Sequence, residues 1–164
     1  MIDLDPSFGN WFAGFADGEG CFSIMSHSVG QKGKRVSCRF DLALRADDEA
    51  ILEEIRDWLG GIGNIYSRYP LQGNPQRVLT IQARADCVIL REVFLRYPLR
   101  AKKAADFKIW AEALGYLLLH RYGSSWDDVL DAKKRLETGR KYELGDSEET
   151  SRFPGRREVH ALSS

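Results

Sequence analysis

Glu19 stands between two glycines, Gly18 and Gly20, where a run of helical character ends and a strand-like run, Cys21-Phe22-Ser23-Ile24, begins at once. A carboxylate at the C-terminal end of a helix faces the negative end of the macrodipole, so something outside the helix must hold it there. A metal ion has the chemistry for that task. The preceding residues, Phe12-Ala13-Gly14-Phe15-Ala16-Asp17, place small side chains on one side of the helix and large apolar ones on the other. Small residues in mid-helix let a second backbone come close, at an intrinsic cost of roughly 1 kcal/mol for Gly relative to Ala. Asp17-Gly18-Glu19-Gly20 also starts like a calcium loop, but the later ligand positions of such a loop are missing. His27, His120 and His160 are scattered and are assigned no metal.

A second kind of chemistry lies in cationic and amide side chains at strand spacing. Val36, Cys38, Phe40 and Leu42 alternate with Arg35, Ser37, Arg39 and Asp41, the period-two pattern of a strand with one buried face. Ahead of it, Phe22 and Ile24 alternate with Ser23, Met25 and His27, and a loop from Val29 to Gly33 carries Lys32, with Lys34 just beyond. A second hairpin is predicted from Asn64 to Tyr69 and from Gln76 to Gln82. There Ile65, Leu79 and Ile81 point inward, leaving Asn64, Tyr66, Arg68, Gln76, Val78 and Thr80 outward. That register sets Arg77 on the inner face, against its chemistry. Arg, Asn and Gln on a strand surface can pair with base edges in a major groove. An ordinary solvated sheet face shows the same alternation, and Met25 and Val78 serve equally as surface filler.

These groups need elements to position them. Asp5-Pro6-Ser7 has helix-start chemistry, and the helix should run to Asp17 or Gly18. Asp47 or Asp48 caps a second helix with Ile51, Leu52, Ile55, Trp58 and Leu59 on one stripe, stopped by Gly60-Gly61. Asp86 can cap a third, to about Phe94. A fourth, from about Lys102 to Leu119, has Phe107, Trp110, Ala111, Leu114 and Leu118 as its stripe, and a fifth starts at Ser124 or Ser125 with Trp126, Val129, Leu130, Lys133 and Leu136. Residues 1–138 then form one α+β domain, a four-stranded antiparallel sheet with helices on one face, and 139–164 read as a polar tail.

Composition sets outer bounds. The 164 residues suit one domain with a sizeable core, and the 43% hydrophobic fraction is ordinary for a globular protein. Cys21, Cys38 and Cys87 are odd in number and widely spaced, reading as reduced core residues of an intracellular protein. No apolar run approaches the ~20 residues that cross a bilayer, and the first residues are no secretion signal, so a bacterial cytoplasm or an organelle matrix is expected. The net charge of zero argues mildly against nucleic acid, but its distribution argues for it. Lys32, Lys34, Arg35, Arg39 and Arg45 face only Asp41, and Arg100, Lys102, Lys103 and Lys108 only Asp106, which makes one basic face.

Phe12 to Gly20 resembles the LAGLIDADG motif of homing endonucleases, with Phe12 at the first position and Glu19 at the final acidic one, and the motif occurs once. Phe40-Asp41-Leu42-Ala43-Leu44-Arg45, followed by Asp48 and Ile51-Leu52, is similar to that family's second strand running into its second helix. Tyr97 to Phe107 is similar to its short basic segment before the fourth helix. The resemblance covers about Ser7 to Tyr122. It implies an αββαββα fold whose saddle-shaped sheet sits over major grooves. Single-motif chains of the family form homodimers, which implies Trp11, Phe12, Ala13, Gly14 and Asp17 at a symmetric helix–helix contact.

The resemblance further implies that Glu19 and the carbonyl of Gly18 bind a divalent cation, Mg²⁺ by preference and Mn²⁺ in vitro. Lys102 best matches the family's active-site lysine, with Lys103 the close alternative. One departure stands out: where some members carry a water-positioning Gln, this chain has Leu44 and Arg45. The expected function is a site-specific homing endonuclease cutting both strands of a long, nearly palindromic DNA duplex, encoded in an intron or intein-like element. The alternative is a non-cleaving binder of the same fold, either an RNA maturase with intron RNA as partner or a DNA-binding regulator. A protein-interaction domain, the third reading, predicts no salt-sensitive DNA affinity.

Overall fold

Apolar side chains recur with helical and strand periods by turns, and the backbone follows them. The structure is a computed structural model and describes residues 5–28, 34–119 and 126–140. In chain order it contains α1 (Pro6–Glu19), β1 (Gly20–Ser28), β2 (Lys34–Arg45), a 3-10 turn (Ala46–Asp48), α2 (Glu49–Trp58), β3 (Asn64–Arg68), β4 (Gln76–Ile81), α3 (Arg84–Arg96), α4 (Lys103–Leu119) and α5 (Asp127–Thr138). The expected α+β order is therefore present. The loop with Lys32, the start proposed for α5 at Ser124 or Ser125, and the segment from Lys141 onward lie outside the described residues.

The sheet has the order β1-β2-β4-β3, and every neighbouring pair is antiparallel. Two hairpins are thus joined edge to edge through β2 and β4. On the inner face Phe22 lies opposite Phe40, Ile24 opposite Cys38, and Leu42 opposite Leu79. The ring of Phe22 gathers Phe40 at 4.9 Å, Trp110 at 5.5 Å, Phe107 at 5.6 Å and Phe94 at 5.7 Å, while Phe12 stacks on Phe94 at 5.3 Å. Strands, α1, α3 and α4 therefore meet in one aromatic core, which supplies most of the buried apolar area per residue.

Local chemistry sets the ends of the elements. Asp5 accepts the backbone N–H of Ser7 at 3.0 Å and caps α1, with Pro6 in the first turn. Gly60 and Gly61, with φ of 81° and 80°, turn the chain after α2 as only glycine does cheaply. Arg77 does sit on the inner face, and its charge is answered there: its guanidinium pairs with Glu49 at 2.5 Å, at the first residue of α2, and also donates to the Ser67 hydroxyl.

Three details depart from the sequence reading. Asp48 stands at the N-cap of α2, as one of the two expected alternatives, but makes no side-chain cap hydrogen bond, and Asp47 is taken by Arg45. Asp86 lies inside α3, whose N-cap is Ala83, and its carboxylate instead accepts the Gly63 N–H at 3.3 Å. The buried stripe of α4 is Asp106, Phe107, Trp110, Ala113, Leu114 and Leu117, with Ala111 and Leu118 only half-buried. The stripe is wider than one amphipathic face because α4 is covered by α5 as well as by the sheet.

Gly20 is held by close approach. A Cβ there would come within 2.6 Å of the Ala16 carbonyl oxygen and 2.8 Å of the Phe40 ring, and neither can yield. Gly20→Ala should therefore destabilise the chain by about 1–3 kcal/mol, seen as a lower midpoint of urea unfolding with an unchanged slope.

Candidate active site and nucleic-acid interface

Glu19 is the last residue of α1 and is exposed. It opens onto a hollow of about 580 Å³ whose walls come from α1 (Trp11, Phe15), the end of β2 (Leu44, Arg45), α2 (Ile51) and Gln76 of β4. Among the described residues, no three His, Cys, Asp or Glu side chains gather as a metal cluster. The residues that could hold a cation at the end of α1 are Glu19, through its carboxylate, and Gly18, through its backbone carbonyl, an all-oxygen donor set. Such a set suits a hard ion that completes its shell with phosphate oxygens and water, as Mg²⁺ does.

The basic segment is tied to the same turn from the other direction. Asp17 Oδ2 accepts the backbone N–H groups of Arg100 at 2.7 Å and Ala101 at 3.1 Å. Amides just ahead of a helix lack partners of their own, and this carboxylate fixes where α4 begins. Lys102 and Lys103 then line a separate hollow of about 350 Å³ with Asp17, Cys21, Asp106 and Arg140. Asp106 is the buried charge of the described chain, at 7% exposure, and Arg140 Nε lies 3.3 Å from its Oδ2. Arg140 also donates to the Phe22 carbonyl oxygen. Arg140, the second residue of the segment read as a tail, is thus held against β1 and α4.

The outward face of the sheet carries the expected polar set in register. Ser23 lies opposite Arg39, Met25 opposite Ser37 and His27 opposite Arg35. Asp41 lies opposite Thr80 and Arg45 opposite Gln76, while β3 adds Asn64, Tyr66 and Arg68. Many of these groups are already paired. Arg39 donates to Asp41 at 2.8 Å and to the Tyr66 hydroxyl at 3.0 Å. The hydrogen bond to Asp41 is the main cause that holds the Arg39 guanidinium above its ordinary pKa. Arg68 donates twice to Gln76 Oε1, and Arg45 grips Asp47 through Nε and Nη2. The Arg45–Asp47 pair is largely exposed, so it is worth at most about 1 kcal/mol and can be exchanged for a phosphate.

Several assignments change. Val78 is fully buried although its register puts it on the polar face, between Ala43 and Tyr66, so it is filler and no base contact. Phe12 (0% exposed) and Ala13 (5%) belong to the subunit's own core, and Asp17 is engaged inside the chain. The outward strip of α1 is Trp11, Gly14 and Gly18 instead, with Trp11 stacked on Phe15 at 5.1 Å. Cys21 is exposed; only Cys38 and Cys87 are core residues, and burial pushes the Cys87 thiol up to about 12.

Lys34 is placed in β2, and Lys32 lies outside the described residues. Sequence reasoning missed Asp106, Arg140 and Gln82, which donates to Ser37 Oγ at 3.2 Å. Asp106 had a signal: it falls one turn before Trp110 on a buried stripe, where a carboxylate demands a partner.

No described helix is long and apolar enough to cross a membrane. Comparison with known proteins gives the family. The chain is 29% identical over 107 residues to the probable intron-encoded endonuclease Cox1-I1b of Schizosaccharomyces pombe, covering 65% of this chain and 27% of that protein. It superposes on the LAGLIDADG meganuclease I-AabMI bound to uncleaved DNA with a TM-score of 0.66 and 30% identity, covering 83% of this chain and 47% of that one. The homing endonuclease I-TnaI shares the fold at a TM-score of 0.64 and 24% identity, covering 84% of this chain and 97% of that one. The chain thus spans about a quarter of its curated relative and about half of the DNA-bound one. The family model described as LAGLIDADG endonuclease matches residues 12–114, from the head of the motif in α1 to the core of α4, and the chain belongs to that family.

Proposed function

We propose that this protein is a site-specific homing endonuclease that cuts both strands of a long, nearly palindromic DNA duplex as a homodimer with a divalent cation. The observation that carries the reading is that one sheet face bears Ser23, Arg35, Arg39, Asp41, Arg45 and Gln76 in register, while Glu19 stands exposed one residue before that sheet begins. The strands would lie in the major groove, where arginine, amide and hydroxyl groups meet base edges. Glu19 and the Gly18 carbonyl would hold the cation, Mg²⁺ by preference, which stabilises charge on the scissile phosphate and lowers the pKa of a bound water. Lys102, or Lys103 beside it, would stabilise developing negative charge. Glu19 and the lysines line separate hollows, and in this reading a phosphodiester lying across both would join them in one reaction.

One carboxylate per chain means one strand per chain, and a dimer supplies the second. A Cβ on Gly14 or Gly18 would meet nothing within 4 Å, so neither glycine is required by the subunit's own packing. A partner helix along that strip gives both a use.

Incubation with duplex DNA made by rejoining the exons that flank its gene tests the reading. A double-strand break that needs Mg²⁺ and vanishes with chelator is expected; no break there refutes it. Binding to that DNA should weaken steeply with salt, by on the order of 10³-fold between 50 and 200 mM for a protein touching at least six phosphates. A flat salt response would favour a protein-interaction domain. One observation favours a non-cleaving relative: Leu44, at the place where some family members carry a water-positioning Gln, is apolar and shares the hollow of Glu19 with Phe15 and Ile51. Equal stimulation of intron splicing by the wild type and Glu19→Gln would support that maturase reading.

A further inference from the structure

We infer that Arg39, Asp41 and Tyr66 form a preassembled reader of guanine, the specificity-determining contact of each half-site. The inference rests on the proposed DNA-binding reading and goes beyond it by naming the base and the residues that hold the reader in place.

Three facts separate Arg39 from the other arginines of the face. Its main chain is fixed from behind, since its carbonyl oxygen accepts the indole N–H of fully buried Trp110 at 3.1 Å. Its side chain is fixed in front at two points, Nε on Asp41 at 2.8 Å and Nη2 on the Tyr66 hydroxyl at 3.0 Å. It is also the least exposed of the arginines paired on this face, at 24% against 64% for Arg45. Two of its donors are used, which leaves both hydrogens of Nη1 and one of Nη2. Guanine offers O6 and N7 as adjacent acceptors in the major groove, the pattern that a guanidinium fork matches. Arg68 and Arg45 use the same two nitrogens, Nε and Nη2, but each gives both to a single neighbour, Gln76 or Asp47, so neither is braced between two residues as Arg39 is.

The supports also oppose other bases. Asp41 orients Arg39 through Oδ1, and its Oδ2 accepts no hydrogen bond from the described residues, so it can accept the amino group of the cytosine paired with that guanine. Thymine and adenine offer no pair of acceptors to the fork, and either would leave a desolvated guanidinium unmatched. Tyr66, exposed at 37%, is half open to the groove and half a strut. Because the arginine is held before DNA arrives, little side-chain entropy is lost on contact.

The test is selection of bound sequences from a randomised duplex library by the wild-type protein and by Arg39→Lys, Arg39→Ala, Asp41→Asn and Tyr66→Phe. Wild type should enrich a motif with one guanine per half-site that disappears in both Arg39 variants, a loss of roughly ten- to hundredfold in preference at that position alone. Arg39→Lys keeps the charge and loses the fork, so it should bind at similar strength with that position degenerate. Asp41→Asn and Tyr66→Phe should weaken preference at the same position and raise, or leave unchanged, affinity for unrelated DNA. If Arg39→Lys retains every guanine of the motif, or Arg39→Ala weakens all sequences equally, the contact is to phosphate and the inference fails while the DNA-binding reading stands. If the wild type enriches no motif, both fall together.

Discussion

Glu19→Gln is expected to bind target DNA at least as tightly as the wild type and to cut it on the order of 10³-fold more slowly or worse, the rate equivalent of the several kcal/mol that a bound cation contributes. The substitution keeps shape and removes charge. Glu19 is exposed and ends its helix, so the fold loses nothing, and neutralising a carboxylate at the helix C-terminus is mildly favourable. DNA binding should strengthen because one negative charge facing phosphate is gone. Gel-shift and cleavage assays over a Mg²⁺ titration separate the two effects. Mixed dimers of wild-type and Glu19→Gln chains should nick one strand and leave the other whole, because each carboxylate serves one phosphodiester. A double-strand break at wild-type rate by the Gln variant would show that metal and chemistry lie elsewhere.

The elements were legible where period and chemistry agreed. Alternation from Arg35 to Leu42 placed Val36, Cys38, Phe40 and Leu42 in the core and set the register of the whole polar face. Even the misfit in that pattern was real: Arg77 does face inward, and a glutamate from a helix 28 residues earlier, Glu49, meets it there. Pattern cannot name such a partner, because the meeting depends on how α2 crosses β4.

The same limit explains Val78. Its parity is outward, yet β4 is an interior strand, and side chains on both neighbouring strands close over it. Parity tells face, and neighbours decide exposure. Asp17 and Arg140 fall in a third class. Their roles are long-range hydrogen bonds to backbone groups at Arg100, Ala101 and Phe22, and backbone acceptors and donors have no signature in sequence. The outward side of α1 lies beyond the pattern for a simpler reason. Ala13 and Gly14 are both small, but they point about 100° apart, so only one can face outward.

That division decides the second large effect. Gly14→Leu should leave the subunit as stable as the wild type or slightly more so, since Leu is a better helix former than Gly by up to about 1 kcal/mol and a Cβ at this position has open space around it within 4 Å. It should nevertheless abolish self-association and, with it, double-strand cleavage. Two helices that meet over Gly14 and Gly18 leave no room for two leucines, and the exposed ring of Trp11, stacked on half-buried Phe15, then loses the contact that would cover it. Gly14→Ala should fall between. Urea unfolding and sedimentation, read together, carry the result: unchanged stability with a monomeric mass. A Gly14→Leu chain that still sediments as a dimer would place the interface away from α1. A wild type already monomeric at micromolar concentration would have a different meaning. The DNA-bound relative is about twice as long as this chain's share of it, and such a monomer would need a different half-domain, in place of a second copy, to complete the cut.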